Sequence, residues 1–163
     1  MSYEIVEFNE KFADSSVGIW NRVVGQGNAF PQEEPMTVPQ GIEFFKSQSF
    51  TAVALDNESN EVLGLYILHP NNVGRCGHIS NASYAVDISK RGAGIGEALV
   101  RHCMKKAKQM GFKILQFNAV VKSNTPAIKL YEKLGFIKLG TIRGGFRLKN
   151  GEFEDIIPFY INL

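Results

Sequence analysis

Residues Tyr84-Ala85-Val86-Asp87-Ile88-Ser89-Lys90-Arg91-Gly92-Ala93-Gly94-Ile95-Gly96 combine a strand-like run, a basic turn and three alternating glycines, and they lead directly into a helical pattern. Glycines at 92, 94 and 96 let backbone N–H groups converge on an anion, and a helix N-terminus adds partial positive charge. Arg91 supplies a full charge beside them. The chemistry this spacing supports is the holding of a diphosphate. A glycine-shaped turn with no ligand is the alternative. It leaves the entropic penalty of three glycines at the mouth of a strong helix unexplained.

Two common diphosphate ligands fail on spacing. A dinucleotide GxGxxG fingerprint needs glycine where Glu97 or Leu99 stands, and an ATP-binding P-loop needs a Gly-Lys-Ser/Thr that is missing. The order Arg91, Gly94, Gly96 instead resembles the Arg/Gln-x-x-Gly-x-Gly/Ala signature of the Gcn5-related N-acetyltransferases (GNAT). A second segment, Asn124-Thr125-Pro126-Ala127-Ile128-Lys129-Leu130-Tyr131-Glu132-Lys133-Leu134-Gly135-Phe136, is similar to that family's Asn-Ala-Tyr-Glu-Lys-Leu-Gly-Phe motif.

That resemblance implies acetyl-CoA as cosubstrate, no metal, and transfer of the acetyl group to an amine by direct attack in a ternary complex. The loop Arg91, Gly92, Ala93, Gly94, Ile95 and Gly96 would hold the coenzyme pyrophosphate. Backbone groups of Ala85 and Val86 would meet the pantetheine arm, and Lys90 or Lys133 the ribose phosphate. Asn124 would reach the pantetheine arm, and it is also placed to cap the helix that starts at Pro126. Tyr131 would protonate the departing sulfur. A phenol with a reference pKa of about 10 is protonated at neutral pH and available as the acid.

Segments His78–Tyr84 and Phe117–Asn124 resemble the matching strands of the yeast acetyltransferases of azetidine-2-carboxylate and related proline analogues, a branch of the same family. Asn81 and Asn118 would then face the acceptor. An amine must lose a proton before it attacks, and Glu33, Glu34, His78 and Asp155 are candidate bases, with Glu33 on a long loop as a substrate-site candidate. Spacing singles out none of them. Two other readings use the same motifs: a catalytically silent acyl-CoA sensor or docking module, and an acetyltransferase that modifies proteins.

The surrounding elements must position these groups. Alternation predicts strands at 3–8, 50–55, 62–69, 78–86, 114–121, 137–146 and 153–161. Helical spacing marks 12–24, 94–110 and 126–134, with Ile95, Ala98, Leu99, Cys103, Ala107 and Met110 on one face of the second. Residues 25–41 hold three glycines, three of the six prolines and Glu33-Glu34, and read as an irregular connection with at most one short helix after Pro39. The expected class is α+β: a mixed, mainly antiparallel sheet of about seven strands with about four packed helices, in one domain spanning 1–163.

Composition limits the remaining options. The chain has 18 Lys and Arg against 16 Asp and Glu, a balance too even to mark a nucleic-acid or membrane binder. Cys76 and Cys103 have neither CxxC spacing nor a partner framework, so neither a disulfide scaffold nor a thiolate metal cluster is expected, and a reducing cytoplasm suits them. Cys103, Trp20, His69 and His102 read as structural. The expected partner is a small-molecule amine, and an edge strand leaves homodimerisation open.

Overall fold

The computed structural model describes residues 1–163. In chain order the elements are β1 (Tyr3–Glu7), α1 (Ala13–Gln26), α2 (Val38–Ser47), β2 (Phe50–Asp56), β3 (Val62–Pro70), β4 (Ile79–Val86), α3 (Ile95–Gln109), β5 (Ile114–Val121), α4 (Thr125–Lys133), β6 (Ile137–Lys138), β7 (Ile142–Arg147) and β8 (Phe153–Asn162). All eight strands join one sheet in the order β1-β2-β3-β4-β5-β8-β6, with β7 also paired to β8. Every pairing is antiparallel except β4 with β5.

Helices cover both faces, because β2 and β3 carry apolar side chains on both sides. On one face Trp20 and Val17 of α1 and Phe45 of α2 pack against Val53, Leu65 and Ile67. On the other, Leu99, Cys103 and Ala107 of α3 pack against Leu63, Tyr66, Leu115 and Phe159. The β2–β3 register runs from Ala54–Gly64 to Leu55–Val62, so Leu63 is skipped and the side-chain alternation resets there. Gly64 allows α3 to lie close to the sheet: a Cβ there would stand 2.9 Å from Ala85 O and 3.2 Å from Leu99 Cδ1.

Three expectations change in detail. The connection after α1 contains a ten-residue helix that starts before Pro39, because Thr37 and Gln40 form a reciprocal capping box around its first turn. The run 137–146 divides into β6 and β7 where Gly140 adopts φ +147°, which raises the strand count to eight. Phe12 belongs to a short 3-10 turn ahead of α1, and Met110 caps α3 with 43% of its surface exposed instead of extending the buried face.

Candidate active site

The sheet comes apart at its centre. Strands β4 and β5 pair only at Ile79–Ile114 and Ser80–Leu115, and beyond that point they diverge. Asp87 N–H donates to Leu63 O at 2.9 Å and Asn71 N–H to Ile79 O at 2.7 Å, which sets the phase of the β3–β4 ladder. In an antiparallel ladder hydrogen bonding alternates, so Ala85, opposite Leu65, is committed to β3. The backbone N–H and C=O groups of Ala82, Tyr84 and Val86 point the other way, into the cleft left by β5. Of the expected pair Ala85 and Val86, only Val86 turns its backbone groups to the cleft, where those of Tyr84 join it. Ala85 is a buried ladder residue.

A cavity of about 650 Å³ fills the mouth of the cleft and is lined by Tyr84, Val86, Lys90, Arg91, Gly92, Gly94, Ile95, Gly96, Asn124 and Ala127, among others. Ala93 stands in the loop but not on the cavity wall. Gly94 is the N-cap of α3 with φ +78°, and no side chain caps the helix. The first amide bonded back into the helix is Ala98, to Gly94 O at 3.1 Å, so the N–H groups of Ile95, Gly96 and Glu97 are left for a ligand. Arg91 reaches Gln26 of α1 at 3.4 Å, while Arg22 of α1 pairs with Asp87 at 3.0 Å, which ties that helix to the loop. The donors fit a diphosphate, and a cavity of this size fits an extended cosubstrate.

Lys133 does not face this cavity freely. Its ammonium lies 2.6 Å from Glu97, which Arg101 also holds at 2.8 Å, and these two cations depress the Glu97 carboxyl pKa, Lys133 most. Lys90 does line the cavity. Asn124 serves twice, accepting from Ala127 N–H at 3.4 Å as the cap of α4 and lining the cavity wall.

A second, smaller cavity of about 190 Å³ lies deeper between β4 and β5 and is lined by Asn81, Tyr84, Phe117, Asn118, Asn124 and Tyr131, with Ala29, Phe30 and Pro31 from the α1–α2 connection. It shares Ala29, Tyr84, Asn124 and Ala127 with the first cavity, so the two meet at those residues. Tyr131 is half-buried, its ring held by Phe117 at 4.4 Å, Phe136 at 5.4 Å and Phe159 at 5.9 Å between centroids. Burial raises its pKa well above the ordinary phenol value. The Tyr84 hydroxyl is buried without a hydrogen-bond partner, and burial keeps it neutral as well.

Asn81 and Asn118 thus stand together with Tyr131. Asn81 Nδ2 donates to Gln116 O at 3.0 Å, which leaves its Oδ1 as an acceptor at the cavity. Asn118 is engaged on both sides, accepting from Gln116 Nε2 at 3.1 Å and donating to Asn71 Oδ1 at 2.6 Å. Sequence reading missed Asn71 and Gln116, whose place in this amide network depends on a loop and a register that only the fold defines.

The expected bases are elsewhere. Glu33 is ion-paired with Arg147 and lines a third cavity, whose wall includes neither Asn81 nor Asn118. Asp155 accepts from Gly144 N–H at 3.0 Å and lies 3.8 Å from Lys122, and neither His78 nor Glu34 lines any of the three cavities. The 190 Å³ cavity is lined by no carboxylate and no imidazole. Cys103 is fully buried with its thiol pKa pushed up to about 12 by burial, and His102 is engaged with the Tyr66 hydroxyl at 2.9 Å. No three His, Cys, Asp or Glu residues are grouped to hold a metal ion, and no helix is long and apolar enough to cross a membrane.

A sheet split at its centre, free amides that would fit a diphosphate at the mouth of the split and a tyrosine in the adjoining cavity fit an acyltransferase that draws its acyl group from a coenzyme A thioester. The family model described as "Acetyltransferase (GNAT) family" matches residues 18–136. The chain belongs to that family, and acetyl-CoA is its cosubstrate. It is 31% identical over 147 residues to the N-acetyltransferase aca1 of Schizosaccharomyces pombe, which covers 81% of this chain and 70% of that one. It is 26% identical to the putative phosphinothricin acetyltransferase YwnH of Bacillus subtilis, over 80% of this chain and 82% of the relative. A Gcn5-related N-acetyltransferase from Kribbella flavida superposes with a TM-score of 0.90 at 28% identity, covering 99% of this chain and 98% of the other.

Proposed function

We propose that this enzyme acetylates the amine of a small molecule by direct attack within a ternary complex. The observation that carries this reading is the 190 Å³ cavity that meets the cosubstrate cavity at Tyr84 and Asn124 and is lined by Asn81 and Tyr131. A space of that size takes a small amine. Acetyl-CoA supplies an electrophilic thioester carbonyl and a thiolate leaving group.

The chain's own residues do the rest. Ile95, Gly96 and Glu97 N–H groups and Arg91 hold the diphosphate, and backbone groups of Tyr84 and Val86 receive the amide-bearing arm. Asn81 Oδ1 accepts an N–H of the incoming amine and turns its lone pair toward the thioester. An amine with a pKa near 10.4 gives up its proton at neutral pH at a cost of roughly 4–5 kcal/mol. With no carboxylate or imidazole on the cavity wall, that proton leaves to water. As the nitrogen bonds to the thioester carbonyl carbon and the C–S bond breaks, the Tyr131 phenol, kept protonated by burial, supplies the proton that the sulfur takes up, and the proton that the new amide nitrogen sheds restores the phenol. The free Cys76 and Cys103 suit a reducing cytoplasm.

Two measurements in one plate test this. Saturating acetyl-CoA should raise the thermal midpoint, and thiol release should follow with some members of a panel of small amines. A thermal shift with no release for any amine would favour an acyl-CoA sensor. Release with peptides alone would make the acceptor a protein.

A further inference from the structure

The third cavity, of about 500 Å³, adjoins the 190 Å³ cavity at Phe30 and Pro31, which line both. Its charged residues are Arg147 and Lys149 from the β7–β8 hairpin and Glu33 from the α1–α2 connection, two cations against one carboxylate. Glu33 Oε1 accepts from one terminal nitrogen of Arg147 and has no second partner, so the guanidinium retains further donors. Lys149 Nζ donates to Gly25 O at 3.0 Å, a neutral partner that leaves its charge uncompensated.

The Arg147–Glu33 pair is open to solvent, with side-chain exposures of 57% and 71%. Exposed pairs of this kind bind weakly and exchange readily. The arginine fork matches a carboxylate in two-point geometry, which a tethered Glu33 uses through one oxygen only. The backbone around it is set by close packing: Gly27, at φ +64°, has room for no Cβ because Lys149 Cβ would stand 2.7 Å away.

We infer that the acceptor amine carries a distal carboxylate, and that Arg147 receives this group in place of Glu33 while the amine enters the cavity at Asn81 and Tyr131. The inference rests on the small-amine reading above and names the acceptor's second functional group. Arg147 is then a specificity residue, and Glu33 is an internal stand-in for the substrate's acid.

The test compares L-glutamate with L-glutamine, matched in shape at the distal end and different in charge, using the full chain with saturating acetyl-CoA. Wild-type kcat/KM should favour L-glutamate by about tenfold or more. Arg147→Gln should bring that ratio toward one by raising KM for L-glutamate, and Arg147→Lys should restore part of it. Glu33→Gln should move it the opposite way, lowering KM for L-glutamate, a gain that loss of a merely structural ion pair does not produce. An unchanged thermal shift with acetyl-CoA verifies that each variant is folded. A wild-type ratio near one, a ratio indifferent to Arg147, or acetylation of uncharged amines with neither amino acid accepted would overturn the inference while leaving small-amine acetylation intact. Absence of thiol release with every amine would remove the underlying reading instead.

Discussion

Lys133 Nζ of α4 lies 2.6 Å from Glu97 Oε2 in the first turn of α3, so an ion pair bridges the two helices beside the 650 Å³ cavity. Glu97 is the one carboxylate on the wall of that cavity, and its charge would oppose a diphosphate. Lys133→Gln should weaken acetyl-CoA binding by about twofold to fivefold, more at low salt, with Arg101 still offsetting part of the charge. Glu97→Gln should strengthen it. Calorimetry at two ionic strengths decides, and equal affinities for both variants would show that the carboxylate is not felt.

Gly94 and Gly96 separate folding from binding. At φ +78° an alanine at 94 is strained by about 1–2 kcal/mol, enough to lower the thermal midpoint by about 2–8 °C. Gly96 has ordinary helical geometry, and a Cβ there meets only Val86 Cγ2 at 3.8 Å. Gly96→Ala should keep the midpoint of the free protein and lose acetyl-CoA affinity, whereas Gly94→Ala should lose both. Thermal melts with and without acetyl-CoA distinguish the two.

Tyr131→Phe should reduce kcat on the order of 100-fold, within the range for loss of a positioned acid, with little change in acetyl-CoA affinity. The pH profile gives the sign. Burial raises the Tyr131 pKa, so the donor form persists through and beyond the ordinary phenol range. Wild-type kcat should show no loss from phenol ionisation up to about pH 10. A falling alkaline limb that vanishes in Tyr131→Phe would contradict the burial argument.

The two cysteines should differ in reactivity. Cys76 is exposed, whereas Cys103 is fully buried under α3 with its thiol pKa pushed up to about 12. A chromogenic disulfide at neutral pH should titrate one thiol per native chain and two after denaturation. Two fast thiols in the native protein would mean that α3 opens readily.

Much of the site was legible because its logic is local. Gly92 and Gly94 need positive φ, the uncapped amides follow directly after them, and Asn124 caps a helix three residues on, all within short stretches of chain. Tertiary pairing hid the rest. Which of Ala85 and Val86 faces the cleft depends on the phase of β4 against β3, set by Asp87 bonding to Leu63, and no window of sequence contains both strands in register. Glu33 read as a free loop acid because its partner Arg147 lies 114 residues away. The helix at Val38 did have a local sign, Thr37 with Gln40, which the prolines around it obscured.

The meagre contact between β4 and β5, two residue pairs at the closed end of the cleft, has a consequence for how the enzyme comes into being. One wall of the cleft is complete once Val86 has been synthesised, and the other must wait for β8, which is β5's partner on its far side. A chain emerging from the ribosome therefore carries half a binding site from the end of β4 at Val86 until β8 is made. Acetyl-CoA in the surrounding solution can reward only the finished molecule.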